Sequence, residues 1–203
     1  MTIGLIFECG PQGADKQVCE FLAKAIRPGV ELTSKTLDNK ENLMRDAGRV
    51  AAQMLKDGCH CVLVVWDLRP TWPDKKVKPC RAAERQQILD CMAHAGLPPS
   101  APVYLVCIEQ ELESWLIASD HAITAYLSTP AHAYSAKQFK KPDREMQPKA
   151  LMNNHFKDAR GWVYEDRADA IGVLKAAPLD FKRLRRSPTF QRFEAKLLVC
   201  NEN

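Results

Sequence analysis

The chain has 203 residues, 46% of them apolar and 27% charged, the proportions of an ordinary globular protein. That length suits one substantial domain, and no stretch approaches the roughly 18 apolar residues that would span a bilayer, so no membrane partner is expected. The net charge of +4 is mild but uneven, since residues 1–127 carry 14 Lys/Arg against 16 Asp/Glu and residues 128–203 carry 15 against 9. A basic C-terminal third suits a polyanionic partner, nucleic acid being the commonest, and suits an ordinary solvated surface equally well.

The opening "MTIGLIFECG" has no basic segment and only a short apolar run, unlike a secretory signal. Of the eight cysteines, Cys9, Cys61 and Cys107 lie in strand-like apolar runs and read as small hydrophobes, which points to a reducing cytoplasm.

Residues 2–9 read as a buried strand. Residues 13–26 then place Val18, Phe21, Leu22, Ala25 and Ile26 at helical spacing. Residues 29–37 form a more exposed strand, nearer an edge. Asn39 caps a helix with Leu43, Ala47, Val50, Ala51, Met54 and Leu55 on one face, and Gly58 ends it. Residues 59–68 are the most hydrophobic strand, hence the centre of a sheet.

A Pro- and Lys-rich loop over 69–79 leads to a helix at 80–95, a strand over 103–110 and a helix over 111–127. Strands alternating with helices predict an α/β fold: a Rossmann-like, mostly parallel four-stranded sheet flanked by helices. Beyond residue 128 the rhythm changes. Pro130, Pro142 and Pro148 interrupt a polar stretch, and helices are expected at 148–157, 166–175 and 187–199. The chain thus divides into an α/β domain, 1–127, and a basic C-terminal helical extension, 128–203, packed on it.

Ligands of a parallel sheet bind beyond the carboxyl ends of its strands. Three predicted strands end there in acids: Glu8, then Asp67, then Glu109, Glu111 and Glu113. Two carboxylates about 5 Å apart repel by roughly 3 kcal/mol at an effective dielectric of 20. If the strands are neighbours, either the pKa values rise or a cation neutralises the charge. Oxygen-only donors favour a hard ion, Mg²⁺ or Mn²⁺. The alternative is a set of separate helix N-caps and solvated loop acids.

Other patterns fall short of a motif. "GPQGADK" (10–16) lacks the Gly-Lys-Ser/Thr ending of a phosphate loop, and reads as a Gly-rich turn before the first helix. Cys59 and Cys61 flank His60 on a strand, where alternate side chains diverge and cannot chelate together. Trp115 falls on an apolar face with Leu112 and Leu116, whereas Trp72 is placed to stack on a base.

With these residues in view, the chain resembles a Toprim-like family related to the OLD (overcoming lysogenization defect) nucleases of bacteria. The matching stretches are "FECGPQGAD", "VLVVWDL", "EQELESWLIASD", "QPKALM" and "LDFKRLRRSPTFQRF", the third and last being the most specific. The resemblance implies a Toprim-like fold and a Mg²⁺-dependent nuclease or related phosphoryl-transfer enzyme, a bacterial defence or toxin component. By position, Glu8 corresponds to the Toprim glutamate, a general acid/base, and Asp67 to the first Asp of Asp-x-Asp. Glu111 and Glu113 correspond to an acidic motif that completes the metal sphere.

The second Asp of that pair falls at Arg69, which cannot bind a cation, leaving Glu109, Glu111 or Asp74 to substitute. In such an enzyme Lys149, Lys182, Arg183, Arg185 and Arg186 would hold flanking phosphates. The alternatives are a degenerate nucleic-acid-binding or regulatory subunit working beside a partner ATPase, and a small-molecule domain that uses its acids for a cationic ligand.

Overall fold

The computed structural model describes residues 1–71 and 78–200. Four strands, β1 (Thr2–Phe7), β2 (Glu31–Thr36), β3 (Cys61–Asp67) and β4 (Val103–Ile108), form one all-parallel sheet in the order β2-β1-β3-β4. The burial pattern explains that order. β1 and β3 are apolar almost throughout and occupy the middle, while β2 alternates exposed and half-buried residues as an edge strand does.

The crossovers are α1 (Ala14–Ile26), α2 (Lys40–Lys56) and α3 (Arg81–His94). The Asn39 side chain accepts the Asn42 N–H at 2.9 Å, the cap expected for α2. Side chains alternate across β3. Val62, Val64 and Trp66 face α2 and α3, while Cys61, Leu63 and Val65 face α1 and the C-terminal helices. Gly48 lets α2 and α3 approach closely, because a Cβ there would lie 2.3 Å from the Cys91 carbonyl oxygen.

The helix expected over 111–127 is two helices, α4 (Glu113–Ala118) and α5 (Asp120–Leu127), joined at Ser119. Tertiary contacts impose the break. Arg186 donates to the Ala118 carbonyl, and Arg183 and Arg186 both hold the Asp120 carboxylate. The remaining helices are α6 (Pro148–Arg160), α7 (Asp166–Lys175), α8 (Phe181–Leu184) and α9 (Pro188–Val199).

These C-terminal helices complete one face of the sheet. Trp115 of α4 is fully buried against Phe190 and Phe193 of α9, with ring centroids 5.6 and 5.3 Å away, and its Nε1–H donates to Thr189 Oγ1 at 2.8 Å. Each such side chain adds about 1.5–3 kcal/mol of hydrophobic stabilisation. The expectation that Cys61 is merely a small hydrophobe is corrected, since its sulfur is bonded to that of Cys200 at the end of α9. Among the described residues no helix is long and apolar enough to cross a membrane.

Candidate functional site

The chain leaves β1 toward β2 on one side and β3 toward β4 on the other, so a crevice opens between the carboxyl ends of β1 and β3. Glu8 follows the last residue of β1 and Asp67 is the last residue of β3, one on each side of it. The Asp67 N–H donates to Glu8 Oε1 at 3.3 Å, and Asp67 Oδ2 accepts the Leu112 N–H at 3.2 Å. Glu8 Oε2 and Asp67 Oδ1 are buried and have no hydrogen-bond partner among the described residues.

Burial pushes the Glu8 carboxyl up to about 8, with Lys40 opposing the shift and Asp15 adding to it. Burial also raises Asp67 well above the carboxylate range, helped by the charges of Asp15, Glu8 and Glu113. Glu113, 4% exposed at the start of α4, is pushed up to about 7 by burial, against the pull of Lys149. Acids drawn out of water respond in this way because the apolar surroundings penalise the ionised form.

Two residues of the site, Asp15 and Lys40, escape the sequence reasoning. Asp15 stands in the first turn of α1, near enough to Glu8 and Asp67 for its charge to act on both, and its own carboxyl is raised by burial. Lys40 opens α2, a poor position for a cation beside the positive end of a helix dipole. Its Nζ is fixed by the Leu68 and Pro70 carbonyls at 3.1 and 3.2 Å and by Glu84 Oε1 at 3.5 Å. A lysine at a helix start is the signal that could mark it; for Asp15 the signal is an acid just after the first strand and turn.

The other expected acids divide. Glu111 lies beside the cluster, its Oε2 accepting the Lys149 N–H at 3.3 Å, while Lys149 Nζ pairs with Asp166 at 2.5 Å. Glu109 is drawn away from the crevice by Arg81 and Arg192, each 2.9 Å from its Oε1. A cleft of about 280 Å³ opens at the cluster's rim, bordered by Arg69, Glu111 and Lys149. Arg69 has no ion-pair partner among the described residues. Roomier hollows lie elsewhere, between α2 and α3 and along β4, and neither is lined by these acids.

Of the expected phosphate-holding residues, Lys149 alone borders the cleft. Arg183 and Arg186 are bound to Asp120, and Arg185 is paired with Glu194 at 2.7 Å, so the first two fasten α8 and the residues after it to α5 and the third ties them to α9. Lys182 is exposed on α8. Trp72 and Asp74 fall outside the described residues.

Among the described residues no three Asp, Glu, His or Cys side chains form a ready-made metal cage. The chemistry of the crevice nevertheless fits a hard cation. Glu8 and Asp67 offer one orphaned oxygen each, and oxygen is the donor such an ion takes.

Fold and site define a doubly wound, all-parallel α/β protein with a cluster of half-buried and buried carboxylates at its switch point. Comparison with family models, with curated proteins and with solved structures finds no match.

Proposed function

We propose that this chain is a Mg²⁺- or Mn²⁺-dependent phosphodiester-cleaving enzyme acting on nucleic acid, of the bacterial Toprim-like, OLD-related kind its sequence resembles. The observation that supports this best is the pair of orphaned, buried oxygens on Glu8 and Asp67, at the carboxyl ends of adjacent strands. Glu8 and Asp67 would hold the ion, with Glu113 and Asp15 adding negative charge around it. A bound Mg²⁺ would help ionise the attacking water and offset charge on the leaving oxygen.

The chain's own residues have distinct tasks. Glu8, at the end of β1 beside the proposed ion, would exchange a proton with the attacking water or the leaving group. Arg69 and Lys149 line the adjacent cleft and suit the non-bridging phosphate oxygens. Lys40 is a positioning residue, since it grips the carbonyls on both sides of Arg69. Glu111 orients Lys149 through its backbone N–H.

One observation favours a second reading, a degenerate nucleic-acid-binding or regulatory subunit beside an ATPase or nuclease partner. Arg69 stands where another metal-binding Asp would fall, and Glu109 is occupied by arginines. Titration calorimetry with Mn²⁺, paired with cleavage assays on single- and double-stranded oligonucleotides, separates the two. The enzyme reading expects ion binding and cleavage, both lost in Glu8→Gln and Asp67→Asn. Nucleic-acid binding that needs no ion, survives both substitutions and is never followed by cleavage would favour the subunit.

A further inference from the structure

We propose that the outer edge of β4 receives an extended acidic peptide segment from another protein, added to the sheet as a fifth strand. β4 ends the strand order, and no strand pairs with its outer side among the described residues. Its pairing with β3 uses alternate residues. The Val62 N–H reaches the Pro102 carbonyl at 2.9 Å and the Leu68 N–H reaches the Ile108 carbonyl at 2.7 Å. Between those points Tyr104 and Val106 turn their backbone groups to β3, so those of Leu105 and Cys107 point outward. Leu105 is half-buried and Cys107 buried, both bordering the hollows described next, and an edge without a pairing strand is a template for strand addition.

The surroundings specify the occupant. A hollow of about 760 Å³ runs beside Val103–Leu105, with Leu89, Met92 and Leu97 offering apolar surface and Arg85 and Lys196 at its rim. A second hollow, about 210 Å³, continues past Leu105 and Cys107 between Arg81, Arg85 and Arg192. Among the described residues Glu109 is the one acid paired with these cations, holding Arg81 and Arg192, so positive charge remains in excess along this part of the groove. A strand that alternates apolar and acidic side chains would place one set on the aliphatic surface and the other against the cations.

Two other occupants fit less well. A second copy of the chain would set these cations against one another. Nucleic acid would find aliphatic surface rather than a stacking platform, since the Tyr104 ring already lies under Lys196 Nζ, 5.4 Å from its centroid.

The test uses the full chain and a fluorescein-labelled peptide of about eight residues alternating Val and Glu, a typical strand length. Fluorescence anisotropy should show saturable binding that weakens roughly tenfold or more in Arg85→Glu/Lys196→Glu. Binding should also vanish when alternate peptide amides are N-methylated, and in Leu105→Pro, which removes an outward N–H without taking a bond from β3. Far-UV circular dichroism checks that each variant is folded, and the N-methylated peptide tests the idea on the unaltered protein. The proposal is overturned by equal binding of the N-methylated peptide, which would mean charge alone, or by no binding at all. It is equally overturned if an oligonucleotide of the same charge competes at lower concentration, or if the chain is a dimer that Leu105→Pro dissociates.

Discussion

Asp67 donates its backbone N–H to the Glu8 carboxylate at 3.3 Å, tying the end of β3 to the residue that follows β1. The bond orients one oxygen of Glu8 and leaves the other buried and unpartnered. Withdrawn from water, both acids favour the protonated form over a bare charge, and that balance depends on pH.

Stability of the metal-free chain should therefore fall as pH rises. Glu8 has a folded pKa of about 8 against an ordinary 4.5, so its contribution is full below 4.5 and lost as pH climbs through 8. Asp67, raised for the same reason, acts in the same direction. Acids held low by arginine or lysine, such as Asp120 and Asp166, titrate below their ordinary 3.8 and do not offset this. Thermal melts should show a midpoint several degrees lower on the alkaline side of this window. Mn²⁺ should restore it there and do little near the acid end, and Glu8→Gln should flatten both responses. A melting temperature independent of pH and ion would show that Glu8 is not a buried, unpaired acid.

Asp15→Asn should shift the pH dependence of ion binding. Its charge pushes up both Glu8 and Asp67, so removing it lets them ionise at lower pH. It also removes attraction for the cation, which should weaken Mn²⁺ binding at alkaline pH by roughly tenfold, as loss of an outer-shell partner does. Calorimetric titrations across pH read both effects at once. A variant that matches the parent in midpoint and affinity would take Asp15 out of the site.

Arginines 183 and 186 should matter for folding and little for nucleic acid. Asp120, 8% exposed, holds both. Arg186→Met would leave the Ala118 carbonyl and one Asp120 oxygen short of a donor, at a cost of about 1–3 kcal/mol in urea unfolding. The salt dependence of oligonucleotide binding should be unchanged in that variant and shallower in Lys149→Met, whose side chain borders the cleft. The reverse pattern would return the phosphate contacts to α8.

The Cys61–Cys200 bond joins the first residue of β3 to the end of α9 across 139 residues of chain. Cys200→Ser should lower stability by about 2–5 kcal/mol in denaturant titrations without reductant. Ion binding should persist, because Asp67 is at the opposite end of β3, roughly 20 Å away at 3.3 Å per residue. Equal stability of the two forms with and without reductant would mean that the sulfurs are not joined in solution.

The elements are mostly legible in the chain. Apolar runs mark β1 and β3, alternating exposure marks β2 as an edge, and Asn39 marks the start of α2, because these signals are local. The break between α4 and α5 is not, since the pattern over 111–127 is continuously helical and the interruption comes from arginines over sixty residues away. The stretches "ELESWLIASD" and "RRSPTFQRF" illustrate the same limit. Taken alone, "RRSPTFQRF" has the character of a basic patch; folded, the two stretches interlock through Trp115, Thr189, Asp120 and Arg186.

The site divides along the same line. That Glu8 and Asp67 terminate apolar strands is written in their neighbours, and parallel strand geometry alone sends both to one rim. Which other charges join them depends on how distant segments pack. Asp15 and Lys40 are brought in by helix starts, Glu109 is removed by arginines of α3 and α9, and Glu111 is turned toward α6. Hydrophobic periodicity determines an element because it acts over a few residues; electrostatic partnership is decided only when the folded chain fixes which charges lie within a few ångströms and out of water.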